Sequence, residues 1–450
     1  MSGTIHELAT GTPVLSVTPA DALVDVPREI VVRGFRAGER VALDATLAHP
    51  DGSAWQSHAE FNADADGHID IARVIPIAGD WRIADATAPV WAMQRTQAPV
   101  RPQLSEDVNP LEIVLSATGE HGARASATYT LRFLGPGVAL RPVREAGLTG
   151  TLLTGTLYTP AGDGPHPAVL VLAGSGGGMH EQRAALYAAR GYTALALGYF
   201  KAPGRPDHID DTPLEYFESA LQWMHATLKP ANGFVAVSGV SRGGELVLLL
   251  GARFPELVSA VIAYVPSAVV NGTLRAGKPG APRDATAWTW RGEPLPNVWR
   301  GNPDADWSAF DAPAAPGQPV RQAAAFHTVL RNADFVAAAR IPVEQIRGPV
   351  LLISGTDDGF WPSTLYSEQV ERTLREHGAR WPVKHVVGTG AGHAIGVPQL
   401  PATLIAKPHP VAGLLLDGGG TAEANARASA QSWEAVLAFL ADAVTTGKQA

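Results

Sequence analysis

Three stretches of this chain hold the residue types of nucleophilic acyl chemistry, in an order that makes them usable together. The first is Gly239-Val240-Ser241-Arg242-Gly243, a G-x-S-x-G pattern between the apolar run 234–238 and a helical stretch from Gly244. That strand–turn–helix setting lifts a common five-residue pattern above chance, and the glycines flanking Ser241 carry no Cβ to clash in so sharp a turn. The competing reading is a serine that merely opens a helix. A serine hydroxyl is a poor nucleophile at neutral pH; it needs a base, and the base needs a carboxylate to orient it. The apolar run Val350 to Ser354 leads straight into Gly355-Thr356-Asp357-Asp358, which puts an acid at the carboxyl edge of a parallel sheet. Asp358, three residues after Gly355, has the spacing usual for such an acid, and Asp357 reads as a turn residue bonding the loop backbone. The base is His393, which follows the β-like run 383–387 and the loop Gly388-Thr389-Gly390-Ala391-Gly392; His385 and His166 are not placed for that role.

Charge developing on the carbonyl oxygen must also be held, and each backbone N–H aimed at it supplies roughly 3–4 kcal/mol. One donor is expected to be the N–H of Arg242, the other the N–H of Ser175 in the loop Ala173-Gly174-Ser175-Gly176-Gly177-Gly178. A glycine-rich loop after a strand also suits phosphate, but G-x-G-x-x-G is not matched and no P-loop lysine follows. No His, Asp and Glu spacing resembles a metal ligand set, and no cofactor is expected.

The elements that must position these groups divide near residue 138. Before it, short β-like runs (22–26, 29–33, 40–45, 68–71, 127–133) alternate with Pro-Asp-Gly-type turns, the pattern of an antiparallel β-sandwich. After it, apolar runs at 168–172, 193–197, 234–238, 260–264 and 350–354 alternate with helical stretches such as Leu214 to Ala226 and Glu245 to Arg253. Such alternation predicts a doubly wound, mostly parallel sheet, here an α/β-hydrolase fold in residues 139–450 behind an N-terminal sandwich in 1–138. The stretch 266–345, rich in Pro and Gly with four tryptophans between 288 and 307, breaks the rhythm. It reads as a cap or lid, against the plainer alternative of a surface excursion packed down by its tryptophans.

Composition excludes several other classes. With 46% hydrophobic and 17% charged residues the chain is globular, and a net charge of −8 without basic clusters argues against nucleic acid. The absence of cysteine removes disulfides and a thiol nucleophile. No apolar run is long enough for a membrane span, and the opening residues 1–7 lack the features of a signal peptide. A cytoplasmic protein acting on a small molecule is the expectation.

Beyond these readings, the segments 15–25 (LSVTPADALVD), 90–93 (VWAM), 183–200 (RAALYAARGYTALALGYF), 239–246 (GVSRGGEL), 355–361 (GTDDGFW) and 390–393 (GAGH) occur in one order. That series resembles the acyl-CoA thioesterases and bile acid-CoA:amino acid N-acyltransferases over nearly the whole chain. The resemblance implies acyl transfer from CoA thioesters, with Ser241, Asp358 and His393 as the triad. Conjugating members typically carry cysteine at the elbow and hydrolytic ones serine, so the expected reaction is hydrolysis to free acid and CoA through an acyl-enzyme on Ser241. A carboxylesterase acting on a non-CoA ester and an amino acid N-acyltransferase are the alternatives. The Pro/Trp-rich segment around 280–320 departs from the mammalian members.

Overall fold

The computed structural model describes residues 12–100, 107–147, 150–313, 315 and 317–446; the opening residues read for a signal peptide lie outside them. The chain forms two compact units: Met1–Gln103 with Asn109–Phe133 and Pro398–Leu404, and Leu104–Val108 with Leu134–Val397 and Ile405–Ala450.

Among the described residues, the first unit holds a three-stranded and a seven-stranded sheet. Along Arg40–Ala48 the buried residues are Val41, Leu43, Ala45 and Leu47, and along Leu111–Gly119 they include Leu111, Ile113, Leu115 and Ala117. This period of two is that of strands with one face on a core, and most pairings are antiparallel. The run expected at 22–26 is shorter, Asp21–Leu23, and pairs in parallel with Arg124–Arg132. Residues 398–404 rejoin this unit from far along the chain: the Ala402 N–H donates to Trp91 O at 3.0 Å, and Arg28 Nη1 donates to Gln399 Oε1 at 3.3 Å. A strand-and-turn reading cannot see that return, because it rests on single tertiary hydrogen bonds and not on a periodic pattern.

The second unit is built on eight strands: β1 (Ala139–Val143), β2 (Gly155–Thr159), β3 (Ala168–Leu172), β4 (Thr193–Leu197), β5 (Val235–Val240), β6 (Ala260–Tyr264), β7 (Val350–Gly355) and β8 (Val383–Gly388). Their order is β1-β2-β4-β3-β5-β6-β7-β8; β2 pairs antiparallel with both β1 and β4, and the other pairings are parallel. Every residue of β3, β4, β6 and β7 is buried, as expected of parallel strands covered on both faces. The covering helices are α1 (Glu181–Ala189), α2 (Leu214–Trp223), α3 (Arg242–Arg253), α4 (Ser363–Glu376) and α5 (Ala422–Thr446). Helix α2 stops short of the expected Ala226 because a π-turn, Met224–Leu228, follows it and Lys229 turns left-handed at φ 47°. Strand order reverses at β3, with β4 on one side and β5 on the other, so the crevice at their carboxyl ends is where a ligand site forms. No helix among the described residues is long and apolar enough to cross a membrane.

Among the described residues of segment 266–345, tryptophans contribute to the core. Trp288 and Trp299 are fully buried, and Trp299 stacks on Trp307 with ring centroids 4.1 Å apart.

Candidate active site

Strand β5 ends at Val240 and α3 begins at Arg242, so the chain reverses at one residue. That residue is Ser241, held at φ 58° and ψ −119°. A non-glycine residue in such a region costs on the order of 1–3 kcal/mol, and the surroundings must enforce it. They do: the Ser241 N–H donates to Tyr264 O at 2.9 Å, and the Ser241 carbonyl accepts from the Glu245 N–H at 3.0 Å. The two flanking glycines are required by contact. A Cβ on Gly239 would lie 2.1 Å from Gly243 O, and one on Gly243 would lie 2.6 Å from Ala173 O.

Beneath the elbow lies a buried polar network that the sequence did not reveal. Arg242 Nη1 donates to both carboxylate oxygens of Glu245 at 2.9 and 3.0 Å, and its Nη2 donates to Gly272 O at 2.7 Å. Glu245 also accepts from Trp288 Nε1 at 2.8 Å and from Asn271 Nδ2 at 2.8 Å; Asn271 Oδ1 accepts from Trp299 Nε1 at 2.9 Å. The pair adds little net stability, since desolvation offsets the attraction, but removing either partner strands a buried charge at a cost of about 3–5 kcal/mol. Its effect is to fix the first turn of α3, whose leading N–H belongs to Arg242, against Trp288 and Trp299 of segment 266–345.

Asp358 and His393 meet across two loops. His393 Nδ1 lies 2.9 Å from both oxygens of Asp358, and both residues are buried. Asp358 Oδ1 also accepts from the N–H groups of Phe360 at 2.9 Å and Trp361 at 3.3 Å, which fixes the carboxylate. The imidazole stacks on Phe360, centroids 4.5 Å apart, and meets Trp361 edge-on at 5.9 Å. A carboxylate accepts only, so Nδ1 carries the proton and Nε2 presents a lone pair. That Nε2 is buried and makes no hydrogen bond, so the Ser241 to His393 bond is not closed here; such bonds often tighten only with substrate. Asp357 points elsewhere. It pairs with Arg321 and accepts from the Gly420 N–H at 2.9 Å, and despite burial, which acts the other way, these donors hold its carboxyl below the ordinary range.

Ser241 opens into a small cavity of ≈ 30 Å³ lined also by Ser175, Arg242, Phe360, Trp361 and His409, with Leu274, Arg275 and Gln322 contributed by segment 266–345. The volume suits a carbonyl group or a water. The glycine-rich loop lies against Ser241, since a Cβ on Gly174 would sit 3.3 Å from Ser241 Cβ. Among the described residues no group of three His, Asp or Glu side chains is placed to hold a metal.

His409 gave no signal in the sequence, where it is one histidine of 14 in a Pro-His-Pro run. Burial, together with the nearby cations Arg275, Lys201 and Lys407, pushes its pKa from 6.5 to about 4. Between those values the unfolded chain binds more protons than the folded one, so stability falls as pH drops from 6.5 towards 4 and the loss is complete below 4. At pH 5 the expected loss from this group is about 2 kcal/mol relative to pH 7. Burial also lowers the pKa of His385, against Glu371 and Glu368, and acts in the same direction. Urea unfolding of wild type and His409→Gln at pH 7 and pH 5 checks this: the variant is expected to lose less stability on acidification. An equal loss in both would remove His409 as a source.

Residues 25–145 match the family model described as the N-terminal region of acyl-CoA thioester hydrolase/BAAT, and residues 212–446 match the BAAT/acyl-CoA thioester hydrolase C-terminal model. Acyl-coenzyme A thioesterase 6 of Mus musculus is 30% identical over 437 residues, covering 94% of this chain and 95% of that protein. Acyl-coenzyme A thioesterase 1 of Homo sapiens is 28% identical over 426 residues, covering 92% and 93%. Peroxisomal succinyl-coenzyme A thioesterase of Mus musculus is 28% identical over 443 residues, covering 94% and 95%.

Proposed function

Because the chain belongs to the BAAT/acyl-CoA thioester hydrolase family, we propose that it hydrolyses acyl-CoA thioesters through an ester on Ser241. Ser241 Oγ attacks the thioester carbonyl while His393 Nε2 takes its proton, and the imidazolium so formed is stabilised by Asp358. The oxyanion is held by the N–H groups of Arg242 and Ser175. Collapse breaks the carbon–sulfur bond, and His393 returns the proton to the departing sulfur. The same nitrogen then deprotonates a water that attacks the ester and passes that proton to Ser241 Oγ as the acyl carbon–oxygen bond breaks, releasing free acid and Ser241.

The observation that carries this reading is the Asp358–His393 pair at 2.9 Å with its buried, unbonded Nε2, in the unit that also holds Ser241 in a strained elbow. Hydrolysis is favoured over conjugation because the acyl group rests on oxygen. A thioester on cysteine is readily attacked by amines, and this chain has no cysteine.

Product analysis by mass spectrometry tests the outcome. With an acyl-CoA donor and excess glycine or taurine, free acid and CoA are expected in equal amounts, with at most a trace of amide. Amide as the main product would make the protein an acyltransferase. Brisk hydrolysis of nitrophenyl esters with every acyl-CoA left intact would make it a carboxylesterase.

A further inference from the structure

We propose that the side-chain hydroxyl of Ser175 is a third oxyanion donor and that His409 orients it. The inference rests on the reading of Ser241 as the nucleophile. His409 is buried, and its Nδ1 accepts from the backbone N–H groups of Val411 at 3.3 Å and Ala412 at 3.2 Å. A nitrogen facing two donors must carry a lone pair, so the ring proton of neutral His409 is on Nε2. Nε2 lies 3.1 Å from Ser175 Oγ, and it therefore donates while the hydroxyl accepts.

This assignment decides what Ser175 does. A serine hydroxyl has one proton to give, and here a lone pair is occupied by His409 and that proton is not spent on the imidazole. Ser175 lines the same small cavity as Ser241, and the loop that carries it packs against Ser241 at Gly174. The proton is thus available to a carbonyl oxygen reacting at Ser241, beside the N–H of Arg242. Acceptance from His409 also polarises the hydroxyl and makes it a better donor.

The two histidines of the site consequently hold opposite tautomers. His393 carries its proton on Nδ1 against Asp358 and offers a lone pair; His409 carries its proton on Nε2 and offers a donor. A second proton on His409 would have to sit on Nδ1, against two backbone N–H groups and beside Arg275, Lys201 and Lys407, so the ring stays a fixed neutral donor at the pH of catalysis. Ser175 is then a catalytic residue and His409 a positioning residue.

The test is the steady-state kinetics of Ser175→Ala, Ser175→Thr, His409→Gln, the double variant Ser175→Ala/His409→Gln, and Ser241→Ala, each with its melting curve. Ser175→Ala is expected to lose roughly 10²–10³ in kcat for acyl-CoA with little change in KM, the loss typical of one oxyanion donor. Ser175→Thr, which keeps a hydroxyl, should recover most of that loss. His409→Gln should lower kcat by less, and the double variant should be no slower than Ser175→Ala alone, because His409 acts only through that hydroxyl. If His409→Gln does not fold, the Ala and Thr variants at 175 still decide whether the hydroxyl is a donor. Wild-type kcat in Ser175→Ala beside an inactive Ser241→Ala overturns the inference and leaves the nucleophile standing. A further drop in the double variant overturns the role of His409. Activity in Ser241→Ala overturns the reading on which both rest.

Discussion

With Ser241 replaced by alanine, turnover of acyl-CoA is expected to fall by roughly 10⁴-fold or more, with the melting temperature unchanged. The two halves of that result have separate causes. Turnover is lost because no other group replaces the attacking oxygen, and the donors that remain can stabilise an oxyanion but cannot form the ester. The fold is kept because serine and alanine both carry a Cβ, so the strain at φ 58° is the same in each, and the bonds that hold the elbow run through its backbone to Tyr264 and Glu245. Residual activity above a few per cent, with an unchanged melting curve, would move the nucleophile elsewhere.

The second large effect separates two adjacent carboxylates. Asp358→Asn should cost about 10⁴ in kcat, because an amide can meet His393 Nδ1 with an N–H and thereby push the ring proton to Nε2, where the base must be free. Asp357→Asn should change kcat by no more than a few-fold. It loses an exposed ion pair with Arg321, worth about 0–1 kcal/mol, while the carboxylate that His393 Nδ1 meets is that of Asp358. Steady-state rates of the two variants check the ranking, and the reverse order would reassign the acid.

Much of the candidate site's geometry was legible because its demands are local. A strained turn needs glycine two residues to either side of Ser241, and the contacts of Gly239 and Gly243 show why. Strands buried on both faces announce themselves as continuous apolar runs, so β3, β4 and β6 lie where the sequence placed them. What escaped is what depends on residues distant in the chain. Glu245 read as one more helical residue, yet it accepts from Arg242, Asn271 and Trp288. His409 reaches Ser175 across 234 residues of chain, and no periodicity or motif encodes that meeting. In the sequence, segment 266–345 reads as a lid or as an excursion packed down by its tryptophans. Trp288 and Trp299 do pack it down, while Leu274, Arg275 and Gln322 of the same segment line the cavity.

The most direct test of the central claim is covalent. The native protein is titrated with a fluorophosphonate that phosphonylates activated serines, with residual acyl-CoA hydrolysis followed throughout and the adduct mapped by peptide mass spectrometry. The account predicts complete inactivation at one equivalent, a single adduct on Ser241, and slower labelling when acyl-CoA is present. An adduct on any other residue accompanying inactivation, or full labelling of Ser241 with turnover intact, would contradict it.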